Sequence, residues 1–291
     1  MVKRLLIFVN IVMLMFVTGC DLSDVSDRFS NDSNESSEYD YREMYLNNDS
    51  KDLTDKDLEV FNEACRVYSL YIDSCDTDYE KVVAAHDYII KNCVYNKSAI
   101  ENDTLIDDDF HPYGVFVKGI AVCEGYAKAF KMLMDIAGID CMLVTGTVGE
   151  DQVAHAWNMV KLENDWYHVD VTFDDPNPET EEIVYVYLNI TDEEISKDHT
   201  WNKNITPEAD ADKYDYIKNS GNIFDTVDDI TSAISQCNIN KKTYLSFVWS
   251  QHDMVSDDVW RQALKGTNIS NLLYSCVGVP GRRMYMITFT Y

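Results

Sequence analysis

The residues of this chain that could do chemistry lie in three short blocks between Gly119 and Pro176. Cys123 stands in V-C-E-G-Y-A-K-A-F, His155 in H-A-W-N-M-V and Asp170 in D-V-T-F-D-D-P. Cysteine, histidine and aspartate are the residue types that supply a nucleophile, a general base and a group that orients the base. The order of the blocks therefore favours covalent acyl chemistry.

The first block predicts a helix that begins at Cys123, where the positive end of the helix dipole favours a thiolate. That interaction contributes about 0.3–1 kcal/mol, and up to about 2 kcal/mol when partly buried. Since one pKa unit corresponds to about 1.4 kcal/mol, the helix shifts the pKa of the thiol by roughly one unit at most. A thiolate at neutral pH needs a second partner, and we expect it to be the imidazolium of His155.

The elements predicted around these blocks are helices followed by an antiparallel sheet, which is an α+β arrangement. Apolar residues three and four positions apart predict the helices, and Gly138 is a predicted helix C-cap. Residues 95–118 are predicted to form a loop or short helix at the rim of the site. The predicted helices are 57–71, 76–92 and 122–137, and the predicted strands are 139–148, 153–162, 166–173 and 185–190.

The register of the hairpin between the second and third strands decides whether His155 and Asp170 meet. A two-residue turn at 163–164 pairs Leu162 with Asp165 and sets Asp170 diagonal to His155 on the same face. Diagonal positions lie roughly 7–8 Å apart at the backbone, within reach of a hydrogen bond between these side chains. A three-residue loop would place them on opposite faces unless a bulge intervened. In the expected register Trp157 lies opposite Asp170 and forms site wall or core.

The three blocks together resemble the transglutaminase-like superfamily, and the resemblance covers roughly residues 57–204. Residues 184–201 resemble a region that often follows the core of that family. The resemblance implies a papain-like Cys-His-Asp site on a helix packed against an antiparallel sheet. It makes Cys123 the nucleophile, His155 the general base and then acid, and Asp170 the group that fixes the imidazole.

The implied reaction is attack on a carboxamide or peptide carbonyl to give a thioester, which an amine converts to a new amide and water hydrolyses. Tyr113, upstream of the nucleophile, is the predicted side-chain donor of the oxyanion hole. Glu124 follows the cysteine where animal transglutaminases carry an aromatic residue, so their acceptor preference does not transfer. We expect no cofactor and no metal, and interpret Asp107–Asp109 as a solvated loop. The alternative is a noncatalytic binding or scaffold module.

The formal charge of −27 argues against nucleic acid as a partner, because phosphate binding needs clustered Lys and Arg. Lys3 and Arg4 precede the apolar run Leu5–Val17, which is too short to span a membrane. The run ends in V-T-G-C at Cys20, which resembles a bacterial lipobox. We therefore expect residues 1–20 to be a lipoprotein signal peptide, with Cys20 lipidated and the protein anchored at the extracytoplasmic face of the cell membrane.

Two further segments flank the predicted core, which spans 57–204. Residues 21–56, rich in Ser, Asp and Asn, are predicted to be a disordered acidic linker. Residues 205–291 are predicted to be a small α/β unit that carries no chemical motif, with helices near 224–236 and 256–264 and a turn at Pro280–Gly281. Besides Cys20 and Cys123, the chain has six cysteines that either form disulfides or stay free thiols. The expected partner of the core is a protein or peptide substrate outside the membrane.

Overall fold

The computed structural model describes residues 6–7, 39–51, 53–175 and 183–291. They divide into two compact units: the first ends at Asp215, and the second begins at Tyr216 and includes the short strand β1 (Leu6–Ile7). Cys20 and residues 21–38 of the predicted linker lie outside the described residues. None of the helices in the described ranges combines the length and apolar character that a membrane span needs.

The first unit begins with helices and continues into a sheet, which confirms the α+β prediction. The elements of the first unit in chain order are α1 (Tyr41–Asn47), α2 (Asp55–Val67), α3 (Asp78–Asn92), β2 (Val94–Tyr95), α4 (Lys97–Glu101), β3 (Ile120–Ala121), α5 (Cys123–Ala137), β4 (Cys141–Val148), β5 (Val153–Leu162), β6 (Asp165–Val169), β7 (Leu188–Ile190), α6 (Asp192–Ile195) and β8 (His199–Trp201). Helix α2 continues into a π-helical turn at Tyr68–Ile72, and a capping box between Thr77 and Glu80 starts α3.

Helix α1 lies within the predicted linker, and this is a difference from the sequence prediction. The Asp40 side chain accepts a hydrogen bond from the Glu43 N–H at 3.0 Å and caps the helix. Arg42 donates to the carbonyl oxygen of Ile136 at the end of α5. The helix has no buried residue, so it lacks the apolar pattern from which a packed helix is predicted.

Strands β4 to β8 form one antiparallel sheet in the order β7-β6-β5-β4-β8. Leu162 pairs with Asp165 across a two-residue turn, which confirms the predicted hairpin register. Helix α5 packs against β5, and the Asn158 amide of β5 donates to the Ala127 carbonyl oxygen of the helix at 3.0 Å. Gly138 ends α5 in the left-handed conformation with φ 75°, as predicted.

The first unit extends to Asp215, eleven residues beyond the predicted boundary at residue 204. Ala209 is buried, and its carbonyl oxygen accepts a hydrogen bond from the Asp192 N–H at 2.7 Å. Lys213 and Tyr214 both bind the Glu163 carboxylate at the hairpin turn. These contacts tie residues 205–215 to the sheet.

The second unit is a five-stranded mixed sheet with two main helices, an α/β arrangement. Its strand order is β1-β11-β12-β10-β9, in which β11 and β12 form the hairpin predicted around Pro280–Gly281. Trp260, Phe247 and Tyr285 are the largest fully buried side chains of its core. Its remaining elements are α7 (Tyr216–Ser220), β9 (Ile223–Phe224), α8 (Val227–Asn240), β10 (Tyr244–Trp249), α9 (Asp257–Ala263), β11 (Asn271–Val279) and β12 (Arg282–Thr290).

The close approach of β8 to β4 depends on Gly146, and this predicts a stability change. A Cβ at this position would clash with the backbone carbonyl oxygen of Thr200 in β8 and lie 2.9 Å from the Trp157 ring. Gly146→Ala is therefore expected to destabilise the first unit by roughly 1–3 kcal/mol, as overpacking does. Thermal unfolding measures the loss. Thr147→Ala is the matched control in the same strand, and an equal loss in both variants would contradict the explanation.

Candidate active site

Cys123 is the first residue of α5 and lies at the predicted helix start. Val122 caps the helix in an extended conformation, and its N–H donates to the Asp109 carbonyl oxygen at 2.9 Å. Gly125, one turn into the helix, lets that segment approach, since a Cβ there would lie 2.6 Å from the same oxygen. The side chain of Cys123 is 6% exposed. The thiol is thus fixed at the positive end of the helix, with little solvent around it.

His155 and Asp170 meet as the predicted register requires. His155 Nε2 lies 2.7 Å from Asp170 Oδ2, and both side chains are buried. Strand β6 ends at Val169, four residues before its predicted end, because Asp170 starts a turn. Its Oδ1 accepts hydrogen bonds from the N–H groups of Thr172 and Phe173, each at 3.0 Å. An aspartate that caps its own turn in this way holds its other oxygen in a fixed direction.

The charge of Asp170 is stabilised although its exposure is 0%. Burial alone would raise the pKa of this carboxyl, but the charge of His155 and the hydrogen bonds from His155 and His199 lower it well below its ordinary value. With the two backbone donors, the carboxylate accepts four hydrogen bonds. A buried carboxylate with this many donors stays ionised at neutral pH.

The His155 ring lies between Asp170 and Cys123. Burial alone would lower its pKa, but the charges of Asp170 and Cys123 and hydrogen bonds to both groups raise it to about 10. Because Nε2 faces Asp170, Nδ1 is the nitrogen left for the thiol. Ionised Asp170 and a basic His155 favour a thiolate–imidazolium pair over the neutral thiol and imidazole.

His199 is a second histidine on the same carboxylate, and sequence reasoning assigned it no chemical role. Its Nε2 lies 3.0 Å from Asp170 Oδ2 and its Nδ1 lies 2.6 Å from Asp198 Oδ1. The Tyr187 hydroxyl donates to Asp198 Oδ2 at 2.5 Å. A continuous chain of hydrogen bonds thus runs from His155 through Asp170, His199 and Asp198 to Tyr187.

Aromatic rings enclose this chain. The Trp157 ring stacks on His155 at 6.0 Å between centroids and meets His199 edge-on at 5.1 Å. Phe173 lies edge-on to His155, with 4.9 Å between the ring centroids. These rings confirm that Trp157 is a wall of the site. A wall of this kind excludes water and strengthens the interactions between charges inside it.

Tyr95, at the end of β2, interacts with Cys123, whereas the ring of Tyr113, the predicted oxyanion donor, contacts two lysines. The pKa of Tyr95 lies well above its ordinary value because of burial, then the charges of Cys123 and Asp170, and its hydroxyl hydrogen-bonds to the backbone and thiol of Cys123. The Tyr113 ring faces the ammonium groups of Lys56 and Lys118, at 5.2 and 5.7 Å from its centroid. In the sequence, Tyr95 is marked only by its position after a predicted helix, and that position does not indicate a contact with Cys123.

The acidic run Asp107–Asp109 is not wholly solvated, which corrects that prediction. Asp109 is 4% exposed, and its carboxylate accepts hydrogen bonds from the Asn96 amide and the Ile106 N–H, each at 2.8 Å. The pKa of Asp108 is lowered to about 2 by its hydrogen bonds with Lys118 and Lys56. Asp109 is thus bound by a side-chain amide and a backbone N–H, and Asp108 by two lysines. We interpret these two carboxylates as structural.

Ligand atoms of His155, Asp170 and His199 lie within 4.8 Å of one another, the arrangement of a possible metal site. Both histidines direct Nε2 at the same oxygen, Asp170 Oδ2, over 2.7 and 3.0 Å. A bound metal would have to take that oxygen and both nitrogens and break the two hydrogen bonds. We therefore interpret the cluster as a proton-bearing network.

Two further histidines, His168 and His86, have structural contacts. His168 accepts a hydrogen bond at Nδ1 from the Trp157 indole at 3.0 Å, and its Nε2 lies 2.8 Å from Asp192. Buried His86 lies 3.2 Å from Asp174. The cysteines in the described residues are free thiols, which agrees with one of the two alternatives left open by the sequence.

Comparison with known proteins matches the transglutaminase-like superfamily to residues 68–171. That range includes Cys123, His155 and Asp170. The chain therefore contains a transglutaminase-like superfamily domain.

Two curated relatives and one solved structure are similar to parts of the chain. Kyphoscoliosis peptidase of Homo sapiens is 30% identical over 112 residues, and that of Mus musculus is 29% identical over 113 residues. Each match covers 35% of this chain and 17% of the relative. A TGase crystal structure is 16% identical with a TM-score of 0.36, covering 48% of this chain and 39% of that one.

The geometry predicts that Cys123 is the most reactive thiol at neutral pH. Burial raises the pKa of Cys65 and Cys276 to about 11 and that of Cys93 to about 12. Each unit by which the pKa of a thiol is raised lowers its thiolate fraction at neutral pH about tenfold, so iodoacetamide should label these three thiols at least about tenfold more slowly than Cys123, which lies beside the His155 imidazolium. Peptide mass spectrometry of briefly labelled protein measures the rates.

The matched control is His155→Ala, in which selective labelling should disappear because the imidazolium is gone. Cys65 is more exposed than Cys123, so labelling that follows exposure alone would favour Cys65 and contradict this account.

Proposed function

We propose that the first unit is a cysteine-dependent acyltransferase or peptidase that works through a thioester. The observation that carries the proposal is the buried His155–Asp170 pair at 2.7 Å, with the His155 ring next to Cys123 at a helix start. Such an arrangement supplies an activated nucleophile, a base and an orienting carboxylate. The transglutaminase-like domain supports the same class of reaction.

The first half-reaction uses the thiolate and the imidazolium. Cys123 Sγ attacks the carbonyl carbon of a carboxamide or peptide, and the electron pair of the C=O bond moves to oxygen. The Cys123 N–H and the Tyr95 hydroxyl are the proposed donors to that oxyanion. His155 then gives its Nδ1 proton to the departing nitrogen, the C–N bond breaks, and a thioester remains.

The second half-reaction reverses the role of His155. Now neutral at Nδ1, it takes a proton from an incoming water or amine, whose oxygen or nitrogen attacks the thioester carbon. The C–S bond breaks and the thiolate leaves, restoring the ion pair. Water gives a carboxylic acid, and an amine gives a new amide. Asp170 stays ionised throughout and stabilises the imidazolium in each half-reaction.

Product analysis tests the reaction. Incubation with a glutamine-containing peptide and a primary amine should give a peptide mass gain for amide formation, a one-dalton gain for deamidation, or cleavage. The change should vanish in Cys123→Ala. It should fall by about 10²–10⁴-fold in Asp170→Asn, because His155 loses the carboxylate that orients it and keeps it basic, and general acid–base catalysis contributes this range. Full turnover by folded Cys123→Ala would overturn the proposal, and an unreactive Cys123 in the wild type would favour a noncatalytic scaffold.

We further propose that the chain is a lipoprotein held at the extracytoplasmic face of a cell membrane through Cys20. The support is the charged start, the short apolar run and the V-T-G-C sequence. Stable anchoring needs more than one acyl chain, which lipobox processing provides.

Metabolic labelling with a radioactive fatty acid tests the anchor. The wild-type chain should incorporate label and sediment with membranes, whereas Cys20→Ser should do neither. Cys123→Ser serves as the control that keeps the lipobox intact. Equal incorporation in wild type and Cys20→Ser would contradict the proposed lipidation.

A further inference from the structure

The carboxylate of Asp170 is shared by two histidines, and a triad uses only one of them. His155 and His199 both direct Nε2 at Oδ2, at 2.7 and 3.0 Å, and their ring centroids lie 5.6 Å apart. The two rings stand at 62° to each other. Asp170 therefore has two imidazole partners, of which His155 is the one next to Cys123.

The hydrogen bonds of His199 decide its protonation state. Both of its ring nitrogens face carboxylates, Asp170 at 3.0 Å and Asp198 at 2.6 Å. A neutral imidazole can donate from only one nitrogen. The Oδ2 atom of Asp198 also accepts from the Tyr187 hydroxyl, so both oxygens of Asp198 serve as hydrogen-bond acceptors in this arrangement. Both contacts are satisfied at once only when His199 is an imidazolium.

The groups that face His199 favour this cation. They are Asp170 at the end of β6, Asp198 before β8, Tyr187 before β7, and the uncharged rings of Trp157 and Phe173. Burial alone would lower the pKa of His199, but the hydrogen bonds and charges of the two carboxylates raise it. His155 is the nearby like charge, and it contacts Asp170 as well. His168, in β6, also interacts with His199 through its charge.

We propose that His199 is a positioning residue that stays cationic, shares the charge of Asp170 with His155 and sets the pH at which the Cys123–His155 ion pair forms. The inference rests on the proposed roles of Cys123 and His155. With one histidine alone, the full charge of Asp170 would act on His155, and a strongly held imidazolium donates its proton poorly to a leaving group. The second cation weakens that hold while fixing the carboxylate in place.

The test is the pH dependence of Cys123 alkylation by iodoacetamide in the full chain. In His199→Gln the side chain keeps an N–H donor and loses the positive charge. A thiolate is then less favoured, so the midpoint of the alkylation curve should rise by roughly one pH unit, the order of magnitude for the loss of one buried unit charge. An unchanged midpoint in folded His199→Gln would overturn the inference.

His168→Gln is the matched control. His168 is also a buried sheet histidine with a carboxylate partner, but its Nδ1 accepts the Trp157 indole hydrogen bond, so the ring is neutral. Burial lowers the pKa of His168, and the charge of His199 lowers it further, which outweighs the opposite effect of Asp192. The substitution should leave the midpoint in place, and an upward shift equal to that of His199→Gln would show a structural effect and overturn the inference.

Asp198→Asn is a second variant, useful if His199→Gln fails to fold. It removes the carboxylate that holds the Nδ1 proton of His199 and should shift the midpoint upward by a smaller amount. No shift in folded Asp198→Asn would count against the inference. If wild-type Cys123 titrates like an ordinary thiol, the proposed function fails. If wild type has a low midpoint that neither variant moves, only the role of His199 fails.

Discussion

The site depends on keeping one carboxylate, Asp170, ionised in an interior that excludes water. An unpaired buried charge costs several kcal/mol, and the cost is offset only when hydrogen bonds occupy its lone pairs. Asp170 has such partners in His155, His199 and the N–H groups of Thr172 and Phe173. Because the carboxylate stays charged, the imidazole next to it is basic, and because the imidazole is basic, the thiol of Cys123 can ionise.

These residues come from different parts of the fold, so the order of the strands in the sheet determines whether they meet. Strand β5 carries His155, the turn after β6 carries Asp170, and β8 brings His199 from the far edge of the sheet. The approach of β8 requires a residue without a side chain at Gly146, which lies opposite His155 in the register. Helix α5, packed on β5, carries the proposed nucleophile, Cys123, as its first residue.

Sequence patterns predicted those parts of the site that are formed by elements adjacent along the chain. The two-residue turn fixed the side of the sheet on which His155 and Asp170 lie, and the apolar spacing with Gly138 placed the helix of Cys123. His199 could not be assigned from the sequence, because its role depends on β8 joining the edge of β4, a long-range pairing without a local signal. Tyr95 was missed for the same reason: strand β2 comes close to Cys123 by pairing with β3, and its partner residues lie 26 positions later in the chain.

The protonation state of His155 tests the central claim most directly. In protein labelled with ¹⁵N-histidine, a nuclear magnetic resonance titration assigns each ring by comparison with the variants that lack it. The account predicts that His155 carries protons on both nitrogens at neutral pH and loses one only near pH 10. It also predicts that Asp170→Asn brings this transition down towards the ordinary histidine value of about 6.5. A wild-type His155 that is already neutral at pH 7 would contradict the account.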